Sequence, residues 1–203
     1  MKRKIITVQG SPGCQLRSEI FSSLMRGKAQ KILEVGIGTG PNLFYYARNS
    51  DVQVVGIDPN QTMENCARSA AISAGLPPSN FEFIRAVGEA IPLDDASVDA
   101  VVGTFVLCCV KDVSMTLKEI KRVLRPGGVY VFIEHVEAKE GIVLRYTQRI
   151  LYPLTSKFEV GCHFRRDTES LISGAGFSRV EHKTIFLENA SFLNPNIHGL
   201  AYK

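Results

Sequence analysis

Three observations predict an α/β protein: a doubly wound, mostly parallel sheet of seven strands with an antiparallel strand at its edge. Apolar strands alternate with helices, a glycine-rich turn ends the first strand, and an acid closes the second. The 203 residues fit one domain with its own core. With 45% hydrophobic and 22% charged residues, the composition excludes a disordered or fibrous class. The net charge of +4 comes without a long basic run. Lys2–Lys4 and Arg165–Arg166 are short clusters, so a solvated surface is expected rather than a nucleic-acid interface. No apolar run reaches the ~18 residues of a membrane span. Five cysteines (14, 66, 108, 109 and 162) form no C-x-x-C pair. An odd number without a secretory signal points to a reducing compartment, cytoplasmic or organellar.

The elements follow in order. Residues 1–30 are set apart as an N-terminal segment, a tail or part of a lid, with a helix expected over Ser18–Arg26 and a stop near Gly27. The segment is basic and has no acid before Glu19, a pattern shared by transit segments and ordinary surface tails. The main domain is expected over 31–203. Lys31–Val35 is the first strand, and Asn42–Arg48 the first helix. Val52–Ile57 is the second strand. Gln61–Ala74 is a helix stopped by Gly75. Phe81–Ala86 is the third strand, followed by the irregular loop Val87–Pro92. Ser97–Leu107 is the fourth. Val110–Leu124 has apolar residues at helical spacing. Arg125–Gly128 reads as a turn and Val129–Val136 as the fifth strand. Ile142–Phe158 is a helix broken at Pro153, and Asp167–Ser173 a helix ended by Gly174. Phe177–Leu187 and Asn196–Tyr202, with no helix between them, close the sheet in antiparallel fashion.

The chemistry gathers around KILEVGIGTG, residues 31–40. Gly36, Gly38 and Gly40 suit a backbone that turns sharply and admits a ligand. The third glycine of the dinucleotide fingerprint is replaced by Pro41. Glu34 repels a pyrophosphate and attracts a cationic ligand. S-adenosylmethionine, with its ammonium and sulfonium groups, fits this pattern, and a dehydrogenase does not. Backbone N–H groups at the start of the following helix suit the ligand's carboxylate. Asp58 stands 18 residues after Gly40, where an acid accepts hydrogen bonds from ribose hydroxyls; its other reading is a cap for the helix after Pro59. Met63 packs either on an adenine or in the core. Gly88 lets an adenine edge reach the backbone, while Glu89 is either an anchor behind the site or a surface acid.

ILEVGIGTG, GIDPN, GEAIPLDDASVDAVV and EIKRVLRPGG resemble, in order, the signatures of class I S-adenosylmethionine-dependent methyltransferases. The resemblance spans residues 31–136 and implies a Rossmann-like domain, S-adenosylmethionine as cofactor, and Glu34, Gly36, Gly38, Gly40, Asp58, Pro59, Met63, Gly88, Glu89 and Thr104 as its contacts. TFVLCCVKD, FIEHV, GCHFRRDTE and NPNIHGLAYK resemble the narrower methyltransferase-like seven group of alkyl-thiol S-methyltransferases and its plant relatives. The animal members of that group carry a hydrophobic N-terminal anchor, which residues 1–30 do not match. Peripheral contact with a membrane surface therefore stays open, as does the oligomeric state.

Methyl transfer from a sulfonium is an in-line displacement, so holding the acceptor about 3 Å from the methyl carbon supplies much of the rate. A thiol with a pKa near 8.5 is already a few per cent thiolate at neutral pH, so no strong base is required. A small-molecule thiol is the expected acceptor. The alternatives are a C- or O-methyltransferase of the quinone or sterol type, and a cofactor-binding protein without turnover. Thr104–Val106 are expected at the methyl donor. Cys108 and Cys109 either line the acceptor pocket or are small buried residues. His135 is either a proton acceptor, hence the catalytic candidate, or a hydrogen-bonded strand end. Asp112 reads as the acid starting a helix. Cys162 and His163 stand apart from the other motifs, so no metal is expected.

Overall fold

A computed structural model describes residues 18, 20, 21, 29–48, 51–138, 142–157, 161–187 and 191–203. Most of the expected N-terminal helix lies outside these. Ser18, Ile20 and Phe21 are helical, and Phe21 is buried. The strands are β1 (Lys31–Val35), β2 (Gln53–Asp58), β3 (Phe81–Arg85), β4 (Val98–Thr104), β5 (Leu124–His135), β6 (Arg179–Ile185) and β7 (Asn196–Tyr202). The helices are α1 (Leu43–Tyr46), α2 (Met63–Ala74), α3 (Val113–Val123), α4 (Ile142–Lys157) and α5 (Thr168–Ser173).

The sheet order is β3-β2-β1-β4-β5-β7-β6. β7 pairs antiparallel with both β5 and β6, which puts the antiparallel pairing at this edge of the sheet. Period-two alternation divides the buried residues between two faces. Leu33, Val35, Val101, Tyr130 and Phe132 join Leu117 and Ile120 of α3 and Ile172 of α5. Ile32, Val54, Val102, Val131 and Ile133 join Phe21, Tyr46 of α1, and Ala67 and Ala71 of α2. Asp99 pins the bottom of the sheet: its carboxylate accepts the backbone N–H groups of Gln30 and Lys31 and pairs with Arg125.

Four expectations are corrected. The strand expected to reach Leu107 stops at Thr104, because Phe105 adopts a left-handed φ of 57° and the next two N–H groups turn to Glu134. Arg125–Gly128 is a bulge inside a continuous β5 rather than a separating turn. Val98 faces Leu124 and Ala100 faces Val129, so the extra residues loop out, with Gly127 at a φ of 78°. The α4 helix runs through Pro153 without ending there. Proline removes one donor and one backbone bond, and the flanking bonds carry the helix past it. The first helix is also shorter than expected, a single turn over Leu43–Tyr46.

Candidate active site

β1 and β4 are neighbours, but their connections leave in opposite directions across the sheet. A crevice therefore opens at the carboxyl ends of these strands, as in other open α/β sheets. It holds a cleft of roughly 720 Å³. Gly36, Gly38, Asp58, Pro59, Met63, Gly88 and Glu89, all singled out in the sequence, line it. Asn60, Phe105, Val106, Cys109, Val110 and Lys111 complete much of the wall.

The three glycines do different things. A Cβ at Gly38 would meet nothing nearer than the Gly36 carbonyl at 4.0 Å, so this position faces open space, and its φ of 53° suits glycine. A Cβ at Gly36 would stand 2.6 Å from Val106 Cγ2. Gly40 does not line the cleft. A Cβ there would meet Leu43 Cδ1 at 2.5 Å and Ala67 Cα at 3.3 Å, so this glycine lets the turn pack on α1 and α2.

Asp58 holds the turn in place. Its Oδ2 accepts from Gly38 N at 3.0 Å and its Oδ1 from Asn60 N at 2.8 Å. Asp58 does not cap the following helix, whose N-cap is Thr62; its carboxylate ties the glycine turn to the start of the next loop and lines the cleft. Glu89 accepts from Lys111 N at 2.7 Å and Asp112 N at 3.1 Å, so it anchors the loop that walls the cleft. Asp112 caps α3 by accepting from Met115 N at 2.9 Å.

Glu34 and Thr104 lie behind the cleft, outside its lining. Glu34 is buried; it accepts from Asn42 Nδ2 and Tyr46 Oη, each at 2.8 Å, and so fixes α1 beneath the glycine turn. Thr104 Oγ1 accepts from the same Asn42 amide at 3.1 Å. Phe21 stacks on Tyr45 at 5.0 Å and meets Tyr46 edge-on at 5.4 Å, so part of the N-terminal segment covers α1.

The turn after β4 was not legible in the sequence. Glu134 is fully buried, and its Oε1 accepts from Val106 N at 3.1 Å and Leu107 N at 2.9 Å. Its Oε2 has no partner. Burial pushes this carboxyl up to about 8, against the lowering effect of backbone bonds from Leu107, Val106 and Cys108. His135 is outside the cleft lining, with its ring stacked on Phe105 at 4.5 Å. Burial lowers its pKa to about 4.

The fold also brings Cys162 beside Cys108 and Cys109. The three Sγ atoms lie within 4.8 Å of one another. Cys162 is held below the usual thiol range by hydrogen bonds from Cys108 and Cys109. Cys108 is pushed up by its bonds to Cys109 and Cys162 and by burial. The expectation of no metal rested on Cys162 standing apart in the sequence, and the fold removes that separation.

Residues 33–132 match the methyltransferase domain family. Thiol S-methyltransferase TMT1A of Homo sapiens is 36% identical over 195 residues, covering 92% of this chain and 78% of that protein. Thiol S-methyltransferase TMT1B of Rattus norvegicus is 37% identical over 171 residues, covering 81% and 68%. Among solved structures, the [4+2]-cyclase SpnF superposes with a TM-score of 0.72 at 17% identity, over 93% of this chain and 80% of that one, a likeness of fold alone. Cleft, glycine turn and relatives agree: the chain is a class I S-adenosylmethionine-dependent methyltransferase of the family that includes TMT1A and TMT1B.

Proposed function

We propose that the enzyme methylates a small lipophilic thiol on sulfur. The observation that carries this reading is the cleft itself, which joins the Asp58 carboxylate and an open glycine turn to an apolar wall of Phe105, Val106 and Val110. Among the described residues lining it, Asp58 and Glu89 already accept backbone N–H groups. S-adenosylmethionine, bound against Gly36, Gly38, Asp58, Pro59, Met63 and Gly88, supplies an activated methyl group. Gly38 leaves room for its close approach, Asp58 accepts from the ribose hydroxyls, and Met63 packs on the base. The apolar wall excludes water and orients the acceptor sulfur. An acceptor that ionises on its own needs only this positioning. Resemblance to TMT1A along nearly the whole chain supports a thiol over a quinone or sterol carbon.

The test is turnover with S-adenosylmethionine and a panel of alkyl thiols, quinones and sterols. An S-methyl thioether is the expected product. Methylation of a quinone or sterol with thiols left untouched rejects the thiol reading, and cofactor binding without any product rejects turnover.

The reading extends to a membrane-surface contact. No described helix is long and apolar enough to cross a membrane. Val143, Tyr146 and Ile150 nevertheless recur on the exposed side of α4 at positions i, i+3 and i+7. Co-flotation with anionic vesicles, lost in Ile150→Asp, is the expected behaviour; no flotation of the unsubstituted chain rejects it.

A further inference from the structure

We propose that Cys108, Cys109 and Cys162, with Nδ1 of His135, hold one Zn²⁺ that ties the ends of β4 and β5 to the loop before α5.

The distances carry the assignment. Zinc bonds to sulfur and imidazole nitrogen at tetrahedral angles require S···S edges of about 3.8 Å and S···N edges of about 3.6 Å. Cys108 Sγ lies 3.5 Å from Cys109 Sγ and 3.6 Å from His135 Nδ1. Cys162 Sγ lies 3.6 Å from the same nitrogen. The three sulfurs lie within 4.8 Å of one another, and the imidazole nitrogen lies 3.6 Å from two of them, Cys108 and Cys162, on the side where a fourth ligand is needed.

Local structure produces this convergence. Cys109 N and Val110 N both donate to the Val106 carbonyl, a helix-like turn that swings two adjacent thiols to one side. His163 N donates to the Cys108 carbonyl at 2.7 Å, which fastens Cys162 and its loop against the pair. Stacking on Phe105 fixes the His135 ring. Three thiolates and one Zn²⁺ leave a net charge of −1. Arg166 answers it from alongside, donating to the carbonyls of Leu107 and Val110 at 2.7 and 2.6 Å. Binding releases to solvent the protons that the thiols still carry. Because Cys109 also lines the cleft, the ion would stiffen the wall on the acceptor side. The proposal stands whatever the acceptor proves to be.

The experiment is zinc analysis of the intact chain purified under a thiol reductant, followed by chelation and refilling with Co²⁺. One zinc per chain is expected, then thiolate-to-cobalt charge-transfer absorption with the d–d bands of a tetrahedral site. Cys162→Ser should lower zinc affinity by about 100-fold or more. His135→Gln should retain the charge-transfer absorption and shift the d–d bands. Cys66→Ser, exposed on α2, should bind as the unsubstituted chain does. Circular dichroism separates ligand loss from unfolding. Trace zinc with no cobalt bands in the unsubstituted chain overturns the proposal. So does a folded Cys162→Ser with unchanged affinity, or a disulfide from Cys162 to Cys108 or Cys109 in the reduced preparation.

Discussion

Replacing Glu134 by glutamine should change how stability depends on pH. The carboxyl is fully buried, with its pKa raised from 4.5 to about 8. Between those values the folded chain keeps a proton that the unfolded chain has released. A raised acid stabilises fully below the unfolded value, and that contribution is lost as pH rises through the folded one. Each unit in the window costs the folded state about 1.4 kcal/mol, so the loss amounts to roughly 3–5 kcal/mol by the upper end. Glutamine keeps an oxygen for the N–H groups of Val106 and Leu107 but does not titrate. Its amide nitrogen takes the place of the unpartnered Oε2, a cost of about 1–3 kcal/mol that does not vary with pH. Urea unfolding of both proteins from about pH 5 to pH 8 isolates the effect, because every other titrating group is common to the pair. The stability of the unsubstituted chain should fall relative to Glu134→Gln as pH rises. Parallel curves would show that Glu134 ionises normally in the fold and refute the reasoning.

Asp58→Ala should weaken S-adenosylmethionine binding by about 1–3 kcal/mol, read by calorimetric titration, and unchanged affinity would remove Asp58 from the ribose site. Gly38→Val should abolish cofactor binding while the chain stays folded, since its Cβ points into open space; normal binding would refute the assignment of this turn. Gly40→Ala should instead lower the melting temperature, because its Cβ overlaps Leu43 and crowds Ala67. Asp99 is raised by burial, but the N–H groups of Lys31 and Gln30 and the Arg125 guanidinium outweigh this and hold it low. Its contribution is therefore present above the unfolded pKa and lost as pH falls through the folded one. Asp99→Asn should cost about 1 kcal/mol at neutral pH, allowing for partial solvation, with the gap closing in acid.

The sheet was legible in the sequence because its signals are local. Each strand carries its own run of apolar residues, and each helix its own spacing and stop, such as Gly75 at a φ of 86° after α2. The glycine turn and Asp58 were legible for the same reason, since a backbone that must leave room for a ligand needs residues of particular types at short separations. The end of β4 was misread because Phe105, Val106 and Leu107 are apolar enough to continue a strand. Only the carboxylate of Glu134, arriving from β5, turns their N–H groups away.

The sequence by itself thus determined the fold class, the cofactor and the first half of the cleft. Tertiary structure decided what Glu34 and His135 do, and where Cys162 lies. Glu34 faces Asn42 and Tyr46 rather than the cleft, burial lowers the proton affinity of His135, and Cys162 meets Cys108 and Cys109. Periodicity shows which face of its own element a side chain occupies. It carries no information about which strand lies alongside, and contacts between distant residues, like the desolvation that shifts their proton affinities, exist only once the sheet order is set.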